Sequence, residues 1–210
     1  MDIFGQGWED HPTRIERGWT TTVTEDDLVL VPGDISWAMR LNEAEADLKF
    51  IGSLPGKTVI IRGNHDYWWS SLKKIRQILP DSIYALQNDH YPLPDGGAVC
   101  GCRGWEYTDD KHDQKIYKRE LQRLKLSFDS AKKSGLVPRI VMMHYPPITK
   151  NLLETPFSKL LEKYRISICV FGHLHGEAQN QAVRGPHKGV TYKLVACDFT
   201  GFNPVHLLTL

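Results

Sequence analysis

The 210-residue sequence lacks any long apolar run and any strong excess of one charge. No stretch approaches the roughly 20 apolar residues that a membrane-spanning helix needs. The opening segment, residues 1–8, lacks the basic and apolar regions of a signal peptide. A formal net charge of +1 gives no strong field for long nucleic acids or anionic membranes, so neither is expected as a partner. These absences predict a cytoplasmic protein, and they carry no information on its oligomeric state.

Cysteine is also scarce, and repeats, low-complexity segments and long linkers are missing. The four cysteines are scattered along the chain, which favours buried thiols over a disulfide framework. Cys100 and Cys102 have no second pair at zinc-site spacing, so we expect small core residues rather than metal ligands. With 41% hydrophobic and 24% charged residues, the sequence predicts one globular domain over residues 1–210.

Short apolar runs alternate with amphipathic segments. Predicted strands cover residues 27–31, 58–61, 98–102, 139–143 and 166–171, with two more in the tail at 190–196 and 205–210. Predicted helices cover residues 42–50, 69–79, 115–133 and 157–164, the first opened by a capping box of Asn42 and Glu45. Strands that alternate with helices and are followed by terminal β structure indicate a layered α/β domain.

Four predicted strands run directly into loops that carry potential metal ligands. The loops contain Gly33-Asp34, Gly63-Asn64-His65-Asp66, His144, and Gly172-His173-Leu174-His175-Gly176. Alone, each loop has a commoner explanation, as a turn or as a structural histidine. Because the carboxyl ends of neighbouring strands meet at one sheet edge, the four loops together indicate a single metal site.

These motifs resemble those of the calcineurin-like metallophosphoesterases. The family pattern is Asp-x-His, Gly-Asp-x-x-(Asp/Glu), Gly-Asn-His-(Asp/Glu), a lone His, and Gly-His-x-His. The last three blocks match this sequence, and the second matches in its Gly-Asp. Residues 33–39 and 62–69 look like a bacterial cytosolic branch. The resemblance implies a four-layer α-β-β-α sandwich that hydrolyses phosphomonoesters or phosphodiesters by metal-bound hydroxide.

The resemblance also implies a role for each matching residue. Two divalent ions (Mn²⁺, Fe or Zn²⁺) share the Asp34 carboxylate. Asn64, His144 and His173 complete one metal position, and His175 belongs to the other.

Two further residues have implied roles at the reaction centre. His65 protonates the leaving oxygen, and Asp66 orients His65 and fixes its tautomer. Two cations would neutralise the phosphoryl oxygens and acidify water, so that a small phosphorylated substrate or nucleotide could be attacked near neutral pH. Arg103 is a candidate phosphate clamp. Trp37, Trp68, Trp69 and Trp105 near the loops could stack an aromatic group, although loop packing is the commoner role.

One block of the family pattern is missing. No Asp-x-His precedes Gly33, where the nearest imitation is Glu9-Asp10-His11, and residues 1–4 resemble the stretch just after the family's first strand. The second metal position therefore keeps only Asp34 and His175, and the fold lacks its first strand. A start codon assigned too late is the favoured explanation. The alternative is a degenerate, one-metal or inactive relative that acts as a non-catalytic metal-binding or interaction protein.

Overall fold

The computed structural model describes residues 6–210, which form two β-sheets with helices on their outer faces. The smaller sheet contains three parallel strands, β1 (Leu28–Val31), β2 (Lys57–Ile60) and β3 (Ile83–Ala85), in that order. Helices α2 (Glu45–Gly52) and α3 (Leu72–Ile78) connect these strands. Since the three strands are parallel, β1 and β2 deliver the loops that follow them to the same edge.

The larger sheet has six strands in the order β4-β5-β6-β7-β9-β8. Its four central strands are parallel to one another, and the short strands β4 and β8 pair antiparallel at the two ends. The strands are β4 (His90–Pro92), β5 (Gly97–Cys102), β6 (Val137–Met143), β7 (Ile168–Phe171), β8 (Gly185–His187) and β9 (Val190–Leu194). Both faces of this sheet are covered, which is why the side chains of β5 and β7 are buried throughout.

Three hydrophobic layers hold the sheets and helices together. One lies between the sheets and includes Val59, Met142 and Val170. A second packs the larger sheet against α4 (Lys111–Lys133) and α5 (Pro156–Lys163), and the third packs the smaller sheet against α2 and α3. This order of layers confirms the expected four-layer α-β-β-α sandwich. Among residues 6–210, no helix has the length and apolar content to cross a membrane.

The structure corrects two local predictions. Helix α2 begins at Glu45 after Ala44 and has no side-chain cap, because Glu43 accepts hydrogen bonds from the N–H groups of Met39 and Arg40 and forms a turn. The capping box at Asn42 was therefore wrong. Residues 205–210 form no strand, and Leu207 and Leu208 pack on the layer between the sheets instead.

A helix that the sequence patterns did not reveal, α1 (His11–Thr22), precedes β1. It buries little besides Gly18 and Trp19, so its apolar stripe is short. The indole of Trp19 donates to the carbonyl oxygen of Pro55, at 2.9 Å, and this bond anchors the helix beside α2. Gly18 allows close contact with the tail, since a Cβ there would lie 2.5 Å from the carbonyl oxygen of Phe202.

Strand β1 has a hydrogen-bonded neighbour on one side only, β2, within the described part of the chain. A cavity of about 1420 Å³ lies beside β1, bordered also by Ile140, Val170 and the tail. The absence of the family's first strand stays a prediction, and residues 1–4, compared above with the segment that follows that strand, lie outside the described residues.

Candidate metal centre

Four of the predicted ligands converge where β1, β2, β6 and β7 end. The shortest contact joins Nε2 of His144 to Oδ1 of Asn64, at 2.5 Å. Nδ1 of His173 lies 3.0 Å from the same oxygen and 3.2 Å from Nε2 of His144. Oδ2 of Asp34 is 3.4 Å from Nε2 of His144. The sheet-edge argument from the sequence therefore brings these four side chains together as expected.

The hydrogen bond made by His144 determines which of its ring nitrogens can bind a ligand. Nδ1 lies 2.9 Å from the carbonyl oxygen of Pro32, which can only accept, so Nδ1 carries the proton. Burial lowers the pKa of His144 to about 3, and the ring is therefore neutral near pH 7. Nε2 consequently presents a lone pair to the oxygens of Asn64 and Asp34.

His173 is also neutral near pH 7. Burial, followed by the neighbouring His144, lowers its pKa to about 4. The cluster therefore combines one carboxylate, one amide oxygen and two uncharged imidazoles, so its acceptors outnumber its donors. A divalent cation would relieve the repulsion among these acceptors, and the mixture of oxygen and nitrogen suits Mn²⁺, Fe or Zn²⁺.

The spacing of the cluster agrees with its chemistry. Atoms bound about 2.1 Å from one ion lie roughly 2.9–3.4 Å from each other, similar to most of the contacts in the cluster. Within residues 6–210, however, no three His, Cys, Asp or Glu side chains are arranged as a metal-binding group. Asn64 is thus needed to complete the set, and the donors fit one ion position better than two.

Backbone conformations that are rare for ordinary residues shape the loops. Asp34 and His173 have φ values of 57° and 68°, in the left-handed region where side chains cost energy. Gly63 brings the first two loops together, because a Cβ there would lie 2.1 Å from Oδ1 of Asp34. The backbone of Asp34 is therefore strained, and its carboxylate lies so close to residue 63 that only glycine fits there.

The carboxylate of Asp66 joins the same two loops. It is fully buried and accepts from the N–H groups of Gly63, Asp34, Ile35 and Ser36 and from the indole of Trp68. Burial raises the pKa of Asp66, and these backbone hydrogen bonds oppose that shift. These donors occupy both oxygens and do not include the ring of His65, so the orienting role of Asp66 stays a prediction and would have to act through the backbone of the loop.

Comparison with known proteins identifies the family. A family model described as calcineurin-like phosphoesterase matches residues 6–177. The chain belongs to this family. No match was found among curated proteins. A protein of unknown function from Aquifex aeolicus has a similar solved structure, with a TM-score of 0.51 and 14% identity over 94% of this chain and 81% of that one. A second solved structure gives a TM-score of 0.52, with 14% identity over 83% of this chain and 84% of that one.

At these identities the structural likeness shows the fold alone. The family is generally one of hydrolases that act on phosphoesters and typically bind divalent metals. In this calcineurin-like phosphoesterase, the candidate metal ligands are the residues that its own geometry brings together.

His65 lies at the rim of the cluster. Its backbone N–H donates to Oδ1 of Asp34, at 2.8 Å. Its ring stacks on Trp37 with 4.8 Å between the centroids, and Nδ1 lies 3.3 Å from the hydroxyl of Tyr67. The hydroxyl of Tyr67, rather than the carboxylate of Asp66, is therefore the group that contacts Nδ1 of His65. Trp68 and Trp69 are buried packing residues, whereas Trp37 is 36% exposed.

His175 lies beside the other histidines along the same cavity. Its Nδ1 is 2.8 Å from Oδ1 of Asp198, and its ring meets Trp8 edge-on with 5.3 Å between the centroids. Asp198 also accepts from the N–H of Gly176 and the side chain of Gln179. A carboxylate in this position fixes the tautomer of His175 with the proton on Nδ1, so that Nε2 is the nitrogen that the predicted ligand role would use.

Sequence analysis missed Asp198, although a signal was present. Asp198 lies shortly after β9, which is parallel to β7 and ends at the same edge. Asp198 follows Cys197 rather than a glycine and lies in no block of the family pattern. The sequence around it therefore resembles none of the four ligand loops.

The prediction for Arg103 was wrong. Its guanidinium is 9% exposed, faces Glu120 at 3.7 Å, and lies 4.5 Å from the centre of the Trp105 ring. A buried, paired guanidinium cannot clamp a phosphate that arrives from solvent. The backbone of Arg103 does reach the site, since its carbonyl oxygen accepts from the N–H groups of His144 and Tyr145, each at 3.0 Å.

Proposed function

We propose that this phosphoesterase hydrolyses small phosphomonoesters or phosphodiesters, nucleotides among them, with the aid of divalent ions. One observation carries the proposal: the unprotonated Nε2 of His144 faces Oδ1 of Asn64 at 2.5 Å and Oδ2 of Asp34 at 3.4 Å. Buried acceptors that face each other without a proton between them are unfavourable unless a cation joins them.

Each residue of the cluster has a separate part in this proposal. Asp34, Asn64, His144 and His173 would hold one ion, and Asp34 would share its carboxylate with a second ion held by His175. When bound, the ions would neutralise the phosphoryl oxygens and lower the pKa of a water molecule. The buried, neutral state of His144 keeps its lone pair available for this at physiological pH.

His65 is the proposed proton donor. It lies outside the ligand cluster, with Nδ1 held near the hydroxyl of Tyr67 and its ring against Trp37. Nε2 would then exchange a proton with the leaving oxygen of the substrate. Trp37 and Tyr67 contact the ring of His65 and are partly exposed, which favours a leaving group with an aromatic ring, such as a nucleoside or an aryl alcohol.

A second candidate function follows from the weaker half of the site. Of the predicted ligands in residues 6–210, only Asp34 and His175 are left for the second ion, and Asp34 is shared with the first. A chain that retains one ion would bind metal, or a partner, without hydrolysing an ester.

Metal content and turnover together test both candidates. Purified protein would be dialysed against Mn²⁺, analysed for bound metal, and assayed with p-nitrophenyl phosphate and bis-p-nitrophenyl phosphate. The proposal expects Mn²⁺-dependent turnover that His65→Ala reduces at least about 100-fold without loss of metal. One bound ion without turnover favours the second candidate, and loss of metal in His65→Ala contradicts the role given to His65.

A further inference from the structure

A fully buried carboxylate lies behind the site and takes no part in the chemistry described so far. Glu120 of α4 is 0% exposed, and its Oε1 lies 3.3 Å from Arg123, 3.6 Å from Arg119 and 3.7 Å from Arg103. An acid rarely occurs at a buried position of a helix unless it is paired. The three arginines meet that requirement, although none of them forms a hydrogen bond short enough to satisfy the carboxylate.

The polar groups around Glu120 leave atoms without partners. Both carboxylate oxygens of Glu120 and the Nε atoms of Arg62 and Arg103 are buried and have no hydrogen-bond partner among residues 6–210. All three residues line one small cavity of about 10 Å³. That volume is about what one water molecule requires, and a water can serve two to four polar partners.

Two of these residues are linked to the candidate metal ligands, one along the chain and one through a backbone hydrogen bond. Arg62 follows β2 and is separated from Asn64 by Gly63 alone. Arg103 follows β5, and its carbonyl oxygen accepts from the N–H of His144. A connection between the two arginine side chains is therefore also a connection between the loops that carry Asn64 and His144.

We propose that Glu120 is a positioning residue for the metal cluster. Its carboxylate holds the guanidinium of Arg103, and one water molecule in the adjoining cavity bridges it to Arg62. This arrangement fixes the distance between Asn64 and His144, whose ligand atoms lie only 2.5 Å apart. The inference rests on the proposed function, because it assigns a ligand role to those two residues.

Glu120→Gln tests this role with little change in side-chain volume. We expect the variant to fold and its Kd for Mn²⁺ to rise about 10-fold, as for other residues that orient ligands. Arg119→Gln is the matched control, since that guanidinium approaches the same oxygen but its side chain is 55% exposed. An unchanged Kd in folded Glu120→Gln overturns the proposal.

A second variant covers a failure of Glu120→Gln to fold, which an unpaired buried charge could cause. Glu120→Leu combined with Arg103→Leu removes both members of this pair, so that neither is left as a buried charge without the other. The proposal expects this double variant also to bind Mn²⁺ about 10-fold more weakly than the wild type. Wild-type affinity in the double variant would mean that the pair only compensates charge.

An NMR measurement separates this inference from the proposed function. If the wild-type protein binds no Mn²⁺, the proposed function fails, but the Nδ1–H of His144 still reports the geometry through its bond to Pro32. Its resonance should shift in Glu120→Gln and stay in place in Arg119→Gln. Identical spectra overturn the positioning role. A crystal structure should show the bridging water, and a direct bond between Arg62 and Glu120 would contradict the bridge.

Discussion

The two halves of the candidate site differ in how firmly the protein arranges them. The half built on Asn64, His144 and His173 has three ligand atoms within 3.2 Å of each other. The half built on His175 has a well-supported histidine, held by Asp198, but few ligands beside it. Of the two ion positions proposed above, the one at Asn64, His144 and His173 is therefore expected to bind its ion more tightly. The position at His175 is expected to need additional groups.

The largest effect is expected from Gly63→Ala. The added Cβ would lie 2.1 Å from Oδ1 and 2.2 Å from the backbone nitrogen of Asp34, so the two loops must separate. We expect at least about a 100-fold rise in the Kd for Mn²⁺, measured by titration calorimetry. Gly172→Ala is the control, because its Cβ would make only an ordinary contact 3.7 Å from Pro32. Equal affinities in the two variants would contradict the close approach.

The two halves can be compared directly through His144→Ala and His175→Ala. Loss of His144 removes the ligand that contacts both Asn64 and Asp34, so the tighter ion should weaken by roughly 100-fold. Loss of His175 should leave that ion bound and lower only the occupancy of the second position. Metal analysis after dialysis against a weak chelator would distinguish these outcomes. If His175→Ala released the tighter ion and His144→Ala did not, the half built on His175 would be the more firmly arranged one.

A smaller effect is expected from Asp198→Asn. The amide keeps the shape of the side chain but weakens its control over the tautomer of His175, which in comparable metal sites costs about 10-fold in affinity or activity. Turnover should fall by about that factor, with the tighter ion retained. Glu177→Gln is a control that leaves the bond between Asp198 and His175 intact. Glu177 lies in the 3-10 helix Gly176–Gln181, which begins directly after His175. A loss of both ions in Asp198→Asn would mean that the halves are not independent.

The smallest effect concerns stability in the absence of metal. Burial lowers the pKa of His144 to about 3 and that of His173 to about 4, whereas both titrate near 6.5 when unfolded. Between about pH 4 and 6.5 the unfolded chain binds more protons than the folded chain. The free energy of unfolding therefore rises with pH in this window and falls again on acidification. Urea titrations with EDTA would measure the slope. His144→Gln should flatten it, and the exposed His112→Gln should not.

The position of the main cluster could be predicted from the sequence because it depends on topology. Parallel strands place their carboxyl ends together, so Asp34, Asn64, His144 and His173 had to meet once their strands were recognised. Their roles as ligands remain predictions. The alternation of strands and helices predicted a layered α/β domain, the family resemblance implied the four-layer order, and the buried apolar layers confirm both.

Long-range side-chain partners could not be predicted in this way. Arg103 looked like a free cation beside a loop, but its charge is taken up by Glu120 from a helix that begins eight residues later. Asp66 was assigned to its neighbour in sequence, His65, yet it accepts from N–H groups 30 to 32 residues away. In both cases a buried charged group is paired with groups that are near in space but distant in sequence, an acceptor for Arg103 and donors for Asp66, and no local pattern encodes such pairs.

Strand β1 has one further consequence. Within residues 6–210 it is hydrogen-bonded to the sheet through β2 alone, and Asp34 follows it after only two residues. Amide exchange at Leu28–Val31 should therefore be faster than in β6, which has a partner on each side. Each time this strand detaches, the carboxylate shared by the two proposed ions leaves with it. The residence time of a bound cation is then limited by how often the border of a three-stranded sheet frays.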